Sequence, residues 1–231
     1  MPPFVIIKRW KQPQSFRALS VAGSFTLTES TMSKTFEGNI PIEGLKWKIG
    51  LIVGRSGTGK TSIAKQCFPQ DYINSFTYTG ETFMDDFPAE LKPNQITEAL
   101  CNVGFASPPD WEKRYDYLSQ GEKMRTDIAR AILLEQKLIV FDEFTSVVDR
   151  EIAKISSFAI AKAIRKSDKQ FIAVTCHSDV IEWLEPDWIF NTDTMLFTDF
   201  TDKKKELDQL LKYKSILVNE SFGASSGTII I

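Results

Sequence analysis

One short segment constrains the fold of this chain more than any other: GRSGTGKTS, residues 54–62. The apolar run IGLIV precedes it and is typical of a buried strand, and residues that favour a helix follow it. Strand, glycine-rich loop and helix in this order bring several backbone N–H groups to a helix N-terminus, where they can bind phosphate oxygens. The pattern G-x-x-x-x-G-K-T therefore predicts a phosphate-binding loop, in preference to a glycine-rich turn without a ligand.

The residue types in this loop predict both a nucleotide and a metal. Lys60 can reach the β- and γ-phosphates, and the hydroxyl of Thr61 can bind Mg²⁺. The predicted cofactors are therefore ATP and Mg²⁺. The predicted nucleotide-binding residues of the loop are Gly54, Arg55, Ser56, Gly57, Thr58, Gly59, Lys60, Thr61 and Ser62.

Composition is that of an ordinary globular protein. The 231 residues are 42% hydrophobic and 25% charged, which fits one domain over 1–231. The net charge of −2 excludes a uniformly basic nucleic-acid surface, although it leaves room for a local patch. Three widely spaced cysteines without a C-x-x-C pattern predict reduced thiols and a cytoplasmic location. No apolar run is long enough to predict a membrane span.

Strands that alternate with helices predict an α/β fold with a parallel sheet at its core. The first 50 residues are predicted to be rich in antiparallel β-structure, including the segment FRALSVAGSFTLT. A further strand is predicted over Tyr72–Gly80, and a small inserted helical subdomain over about 81–135, with a helix near Gln95–Val103. The segment 203–231 is predicted to hold a C-terminal helix and a tail; its KKK run is interpreted mainly as a solvated helix start.

Two acidic residues, Asp142 and Glu143, end the buried strand in LIVFDEF. Ligands of open α/β sheets bind at the carboxyl ends of strands. Asp142 is therefore the predicted metal ligand, together with Thr61, and Glu143 is the predicted catalytic base that activates water.

Leu118 to Glu122, LSQGE, resemble the signature motif of the ABC ATPases, and SVVD, which ends at Asp149, is similar to their D-loop. His177, the one histidine of the chain, follows the strand FIAVTC, where this family has its switch histidine. The resemblance implies a P-loop ATPase of ABC type. It further implies that two copies close head to tail around ATP, and that hydrolysis opens this dimer.

The resemblance assigns roles to particular residues. Glu143, His177 and Lys60 would be catalytic, and Asp149 would belong to the D-loop. A partner copy would contribute the signature residues Ser119, Gln120, Gly121 and Glu122 to the γ-phosphate. For Ser119 and Glu122 a capping box is an alternative that can hold at the same time.

The chain departs from the family pattern at three places. Gln120 and Glu122 replace the usual signature residues. The Q-loop glutamine is missing where the predicted strand ends near Gly80, and Gln95 is the remaining candidate. An aromatic ring that stacks on adenine is not fixed by the sequence; Phe25 is preferred over Phe16.

A narrower resemblance, carried by GLIVGRSGTGKT and DVIEWLEPDWIF, is to ABC-type ATPases of phages and mobile elements, some of them fused to acetyltransferase-like domains. The favoured function is a soluble ATPase whose dimerisation acts on an unidentified protein or nucleic acid. The alternatives are the nucleotide-binding subunit of a membrane transporter and an ATP-binding module with negligible turnover.

Overall fold

The computed structural model of the chain describes residues 3–9, 15–25 and 33–202. The helix and tail predicted for 203–231 lie outside these residues. Two single 3₁₀ turns occur at Phe83–Asp86 and Tyr115–Tyr117. The strands and α-helices, in chain order, are β1 (Phe4–Arg9), α1 (Phe16–Ser24), β2 (Ser33–Gly38), β3 (Ile49–Val53), α2 (Lys60–Cys67), β4 (Tyr72–Ile73), α3 (Pro93–Asn102), α4 (Pro108–Trp111), α5 (Gln120–Leu133), β5 (Leu138–Phe141), α6 (Arg150–Lys166), β6 (Gln170–Thr175), α7 (Val180–Leu184), β7 (Trp188–Asn191) and β8 (Leu196–Asp199).

The main sheet has six strands in the order β4-β5-β6-β3-β7-β8. All neighbours from β4 to β7 are parallel, and β8 joins β7 as an antiparallel edge strand. A separate antiparallel pair, β1 and β2, forms the N-terminal sheet. The α/β prediction is therefore confirmed, with a parallel core and an antiparallel N-terminal part.

The centre of the sheet is buried on both faces, which explains why its strands are almost continuously apolar. Every residue of β3 is buried, and so are Phe171 to Thr175 of β6. One face packs against α3, α5 and α6, and the other against α2 and the N-terminal strands. Gly50 is required in β3, because a Cβ atom there would lie 2.1 Å from the ring of Trp188.

The segment between β4 and β5 holds helices and no described strand. The helix expected near Gln95–Val103 is confirmed as α3, which packs against α5 and α6. The longest helix in the described part of the chain is α6, with 17 residues. None of the described helices combines the length and the hydrophobicity needed to cross a bilayer.

Two predictions of local structure were wrong. The segment around FRALSVAGS is the helix α1, because Ser15 caps its first turn by accepting a hydrogen bond from the N–H of Ala18. The strand predicted over Tyr72–Gly80 contains only Tyr72 and Ile73. The residues that follow leave the sheet: the backbone N–H groups of Thr79 and Gly80 both bind the carboxylate of Asp86.

A buried cluster fastens the segment after β4 to helix α5. The hydroxyls of Tyr78 and Tyr115 each donate to Asp127 at 2.8 Å, and the two rings stack with 3.9 Å between their centroids. The guanidinium of Arg130 lies over the ring of Tyr78. Burial raises the pKa of Asp127 to about 6, although the two tyrosine hydrogen bonds and nearby cations act in the opposite direction.

We expect this carboxylate to make the stability of the protein depend on pH. The folded protein holds the proton of Asp127 more tightly than the unfolded chain does, so the stabilising contribution is complete below the unfolded pKa near 3.8 and is lost as the pH rises through 6. The free energy of unfolding should fall by about 2 kcal/mol more in the wild type than in Asp127→Asn between pH 4 and pH 7. Urea unfolding of both proteins at several pH values measures this difference, and parallel curves would contradict it.

Candidate functional site

The order of the strands brings three predicted groups to one edge of the sheet. Strand β6 lies between β5 and β3, and all three are parallel. Their carboxyl ends therefore lie side by side. The phosphate loop follows β3, the pair Asp142 and Glu143 follows β5, and His177 comes two residues after β6. These groups are far apart in sequence, and the strand order of the sheet brings them together.

The phosphate loop lies between β3 and α2, as predicted. Gly59 caps α2 with φ 95°, in the left-handed region that favours glycine, and a Cβ atom there would lie 2.5 Å from the ring of Phe36. Lys60 begins the helix, and its Nζ atom donates to the carbonyls of Gly54 at 2.8 Å and Arg55 at 2.9 Å. The lysine side chain therefore folds back over the loop.

Two residues that the sequence analysis missed support the loop from behind. The hydroxyl of Thr192 forms a 2.6 Å hydrogen bond with the hydroxyl of Thr58, and Asp193 accepts bonds from the backbone N–H and the Nε atom of Arg55. The hydrogen bond from Arg55 lowers the pKa of Asp193. Because the side chain of Arg55 is 87% exposed, this ion pair serves to position the loop more than to stabilise the fold.

The two residues of the acidic pair differ in exposure and in backbone conformation. Asp142 is 4% exposed and accepts hydrogen bonds from the backbone N–H of Glu143 at 2.9 Å and from the hydroxyl of Tyr72 at 2.5 Å. Burial, followed by this bond to Asp142, raises the pKa of Tyr72 well above its ordinary value, so the tyrosine remains a donor. Glu143 is exposed and has φ 53°, a conformation that is uncommon outside glycine.

The segments after β5 and β6 are connected by an ion pair. Asp149 caps α6 by accepting a hydrogen bond from the N–H of Glu151 at 2.9 Å. The next residue, Arg150, donates to Asp179 at 2.9 Å and also contacts the carbonyl of Thr145. His177 is partly exposed. The predicted D-loop and the loop that carries the histidine are therefore linked by Arg150 and Asp179.

The predicted signature residues form the N-terminus of α5. The hydroxyl of Ser119 accepts a bond from the N–H of Glu122, whose carboxylate accepts the N–H of Ser119 at 2.7 Å. This is a capping box, and it turns the carboxylate of Glu122 back onto its own helix end. Gly121 is buried, and a Cβ atom there would lie 2.9 Å from Cγ2 of Ile152 in α6. Ser119 and Gln120 are exposed.

A cavity of 310 Å³ lies over the phosphate loop. The predicted residues in its lining are Ser56, Gly57, Gly59, Lys60, Thr61, Ser62 and Glu143, and they are joined by Lys8, Lys34 and Phe36. Neither His177, Phe25 nor the signature residues line this cavity within the described part of the chain. Phe25 lies at the C-terminal end of α1 and is 73% exposed, so its adenine-stacking role stays a prediction.

The Q-loop glutamine was expected where the strand predicted over Tyr72–Gly80 ends, but that strand ends earlier, at Ile73. Because β4 ends at Ile73, the first residue after it is Asn74, and the N–H of Asp142 donates to the carbonyl of Ile73. The backbone at the end of β4 therefore lies beside the acidic pair. Gln95 instead lies in the first turn of α3, where its side chain accepts the N–H of Lys92.

A protein-family model described as "ABC transporter" matches residues 66–146, less than half of the chain. This stretch includes the signature residues and the acidic pair. Two solved structures share the fold. The dimeric structure of MJ0796, a bacterial ABC transporter cassette, has a TM-score of 0.52 at 14% identity and covers 68% of this chain and 87% of that one. A bacterial Atm1-family ABC exporter with ATP bound has a TM-score of 0.51 at 19% identity, covering 76% of this chain and 37% of that one.

The fold, the phosphate loop and this match make the chain similar to ATPase domains of the ABC type. Among its relatives is the probable ATP-dependent transporter SufC of Escherichia coli (strain K12), 28% identical over 55% of this chain and 50% of SufC. Another is the energy-coupling factor transporter ATP-binding protein EcfA1 of Mycoplasmopsis synoviae, 27% identical over 61% of this chain and 67% of EcfA1. The chain thus spans half the length of SufC.

Proposed function

We propose that the protein binds and hydrolyses Mg²⁺–ATP, and that ATP closes two copies head to tail while hydrolysis releases them. The observation that carries this proposal is the meeting of three carboxyl ends at one sheet edge: the phosphate loop, the acidic pair and the segment with His177. Such an edge combines an anion-binding loop, a metal ligand and a general base, which are the groups that phosphoryl transfer requires.

The residues fit a magnesium ion that is shared with phosphate. Mg²⁺ prefers oxygen ligands and takes one or two carboxylates or hydroxyls from the protein. Thr61 lines the cavity, and Asp142 is a buried carboxylate that hydrogen bonds from Tyr72 and Glu143 hold in one orientation. We assign these two residues to the metal, which would neutralise charge on the phosphates when bound.

The remaining catalytic roles follow from charge and exposure. Lys60 can exchange its two loop carbonyls for phosphate oxygens, which are stronger acceptors because they carry charge. Glu143 is exposed to the cavity and can take a proton from an attacking water. His177, after β6, would contact the γ-phosphate once the site has closed.

Head-to-tail closure is supported by the exposed position of the signature residues. Ser119 and Gln120 lie on the surface, outside the cavity of their own chain, while their helix N-terminus can bind an anion. Exposed apolar side chains flank this region: Tyr117 is 74% exposed, and Val147 in the predicted D-loop is 68% exposed. A second copy that placed its cavity here would cover these side chains.

Mixing two inactive variants tests this arrangement. Lys60→Ala removes the lysine of the phosphate loop, and Ser119→Arg places a bulky side chain at the N-terminus of α5. Each variant alone should have less than about a tenth of wild-type turnover. A mixed dimer contains one composite site with an intact loop from one copy and an intact signature from the other. Phosphate release should therefore reappear on mixing, and a mixture as inactive as its components would contradict a site shared between copies.

For the partner we favour a protein or nucleic acid in a cytoplasmic, soluble role, as in the ABC-type ATPases of phages and mobile elements. The supporting observation is that Asn74, not glutamine, follows β4 at the Q-loop position. The second candidate is the nucleotide-binding subunit of a transporter, which the names of the relatives favour. Purification of the tagged protein from its native membranes separates the two: a stoichiometric transmembrane protein would support the transporter.

A further inference from the structure

The N-terminal hairpin brings two lysines to the phosphate cavity. Side chains of a strand alternate between its faces, so Lys8 shares the inner face of β1 with the buried Phe4, while Arg9 points to the outer face. On β2, Lys34 shares the inner face with the buried Phe36. Lys8 and Lys34 are direct cross-strand partners, and both line the cavity.

This placement is costly without an anion. Like charges directly opposite each other in an antiparallel pair are destabilising. The cavity lining of the described chain adds a third cation, Lys60, and contains only one carboxylate, Glu143. Three cations around one small cavity therefore indicate a ligand with several negative charges.

The hairpin is also fastened to the loop itself. The Nζ atom of Lys34 donates to the carbonyl of Gly57 at 2.5 Å, and the ring of Phe36 packs on Gly59. A phosphate oxygen carries a full or partial charge and is a stronger acceptor than a carbonyl. Lys34 therefore lies within reach of the loop in which the phosphates would sit.

We propose that Lys8 and Lys34 form a second phosphate-binding wall, which contacts the triphosphate chain from the N-terminal hairpin. This inference rests on the proposed nucleotide-binding function and extends it to two residues outside the loop. Nucleotide binding then ties the N-terminal sheet to the phosphate loop, because Lys34 exchanges the Gly57 carbonyl for a phosphate oxygen.

The test measures dissociation constants by titration calorimetry for ATP and for inorganic tripolyphosphate, which has no base. Lys8→Gln and Lys34→Gln should each weaken both ligands about five- to tenfold, and the double variant about thirtyfold or more. The double variant should also show a shallower dependence of affinity on salt. Arg9→Gln is the matched control, since it removes a cation from the outer face of the same strand, and its affinities should stay within about twofold.

Further variants separate charge from a purely structural role. Lys34→Gln keeps a hydrogen-bond donor on a side chain one bond shorter, and Lys34→Arg keeps both the donor and the charge. We expect Lys34→Arg to keep the affinity near that of the wild type and Lys34→Gln to lose it. Without ligand, the thermal midpoint should not fall in any variant, because each glutamine removes one of two opposed like charges. Double-variant affinities within twofold of wild type would overturn this inference alone. A wild type that binds neither ATP nor tripolyphosphate at millimolar concentration would overturn the proposed function as well.

Discussion

Glu143→Gln is expected to abolish turnover and to trap the protein as an ATP-bound dimer. Glutamine has the same shape as glutamate, so the backbone at φ 53° and the hydrogen bond from its N–H to Asp142 can be kept. Glutamine cannot accept a proton from water, however, and loss of a general base costs about 10²- to 10⁴-fold in rate. Phosphate release should fall by at least about a hundredfold.

Size-exclusion chromatography in Mg²⁺–ATP should then show the variant as a dimer, because in the proposed head-to-tail closure the γ-phosphate that holds the two copies is no longer removed. The matched control is Glu135→Gln, an exposed glutamate at the opposite, amino end of β5. It should retain turnover and remain monomeric on the timescale of the column. Equal phosphate release by Glu143→Gln and wild type would remove Glu143 from the role of base.

Gly121→Val is expected to prevent the dimer from closing while leaving the monomer able to bind ATP. A Cβ atom at this position would lie 2.9 Å from Cγ2 of Ile152 and 3.4 Å from Cγ1 of Val148. Both neighbours are β-branched and stiff, so the N-terminal turn of α5 must move away from α6. Since Ser119 caps this turn, the signature surface moves with it.

Turnover should fall by at least about tenfold, the free energy of unfolding by about 1–3 kcal/mol, and ATP affinity of the monomer should change less than about twofold. Gly23→Val in α1 is the matched control, because a Cβ atom there meets no heavy atom within 4 Å. Wild-type turnover by a stable Gly121→Val protein would show that the N-terminus of α5 does not bind the partner's phosphate.

The two wrong predictions of local structure have different causes. Two residues of α1, Phe16 and Val21, have high strand propensity, but the cap at Ser15 and the i to i+4 hydrogen bonds favour a helix. Tyr72 to Gly80 carries a strand-like pattern, yet Asp86 draws the backbone of Thr79 and Gly80 out of the sheet. The cap at Ser15 can be read from the sequence, whereas the contact with Asp86 lies outside the predicted strand.

By itself the sequence determined the phosphate loop at 54–61, the acidic pair after β5 and the helix that begins after Ser119. Each depends on residues a few positions apart, whose geometry follows from one strand end or one helix start. Only the tertiary structure decided what surrounds them. Thr192 behind the loop, Tyr72 on Asp142, and Lys8 with Lys34 at the cavity come from other strands, and their positions are fixed by strand order and register, which no local pattern specifies.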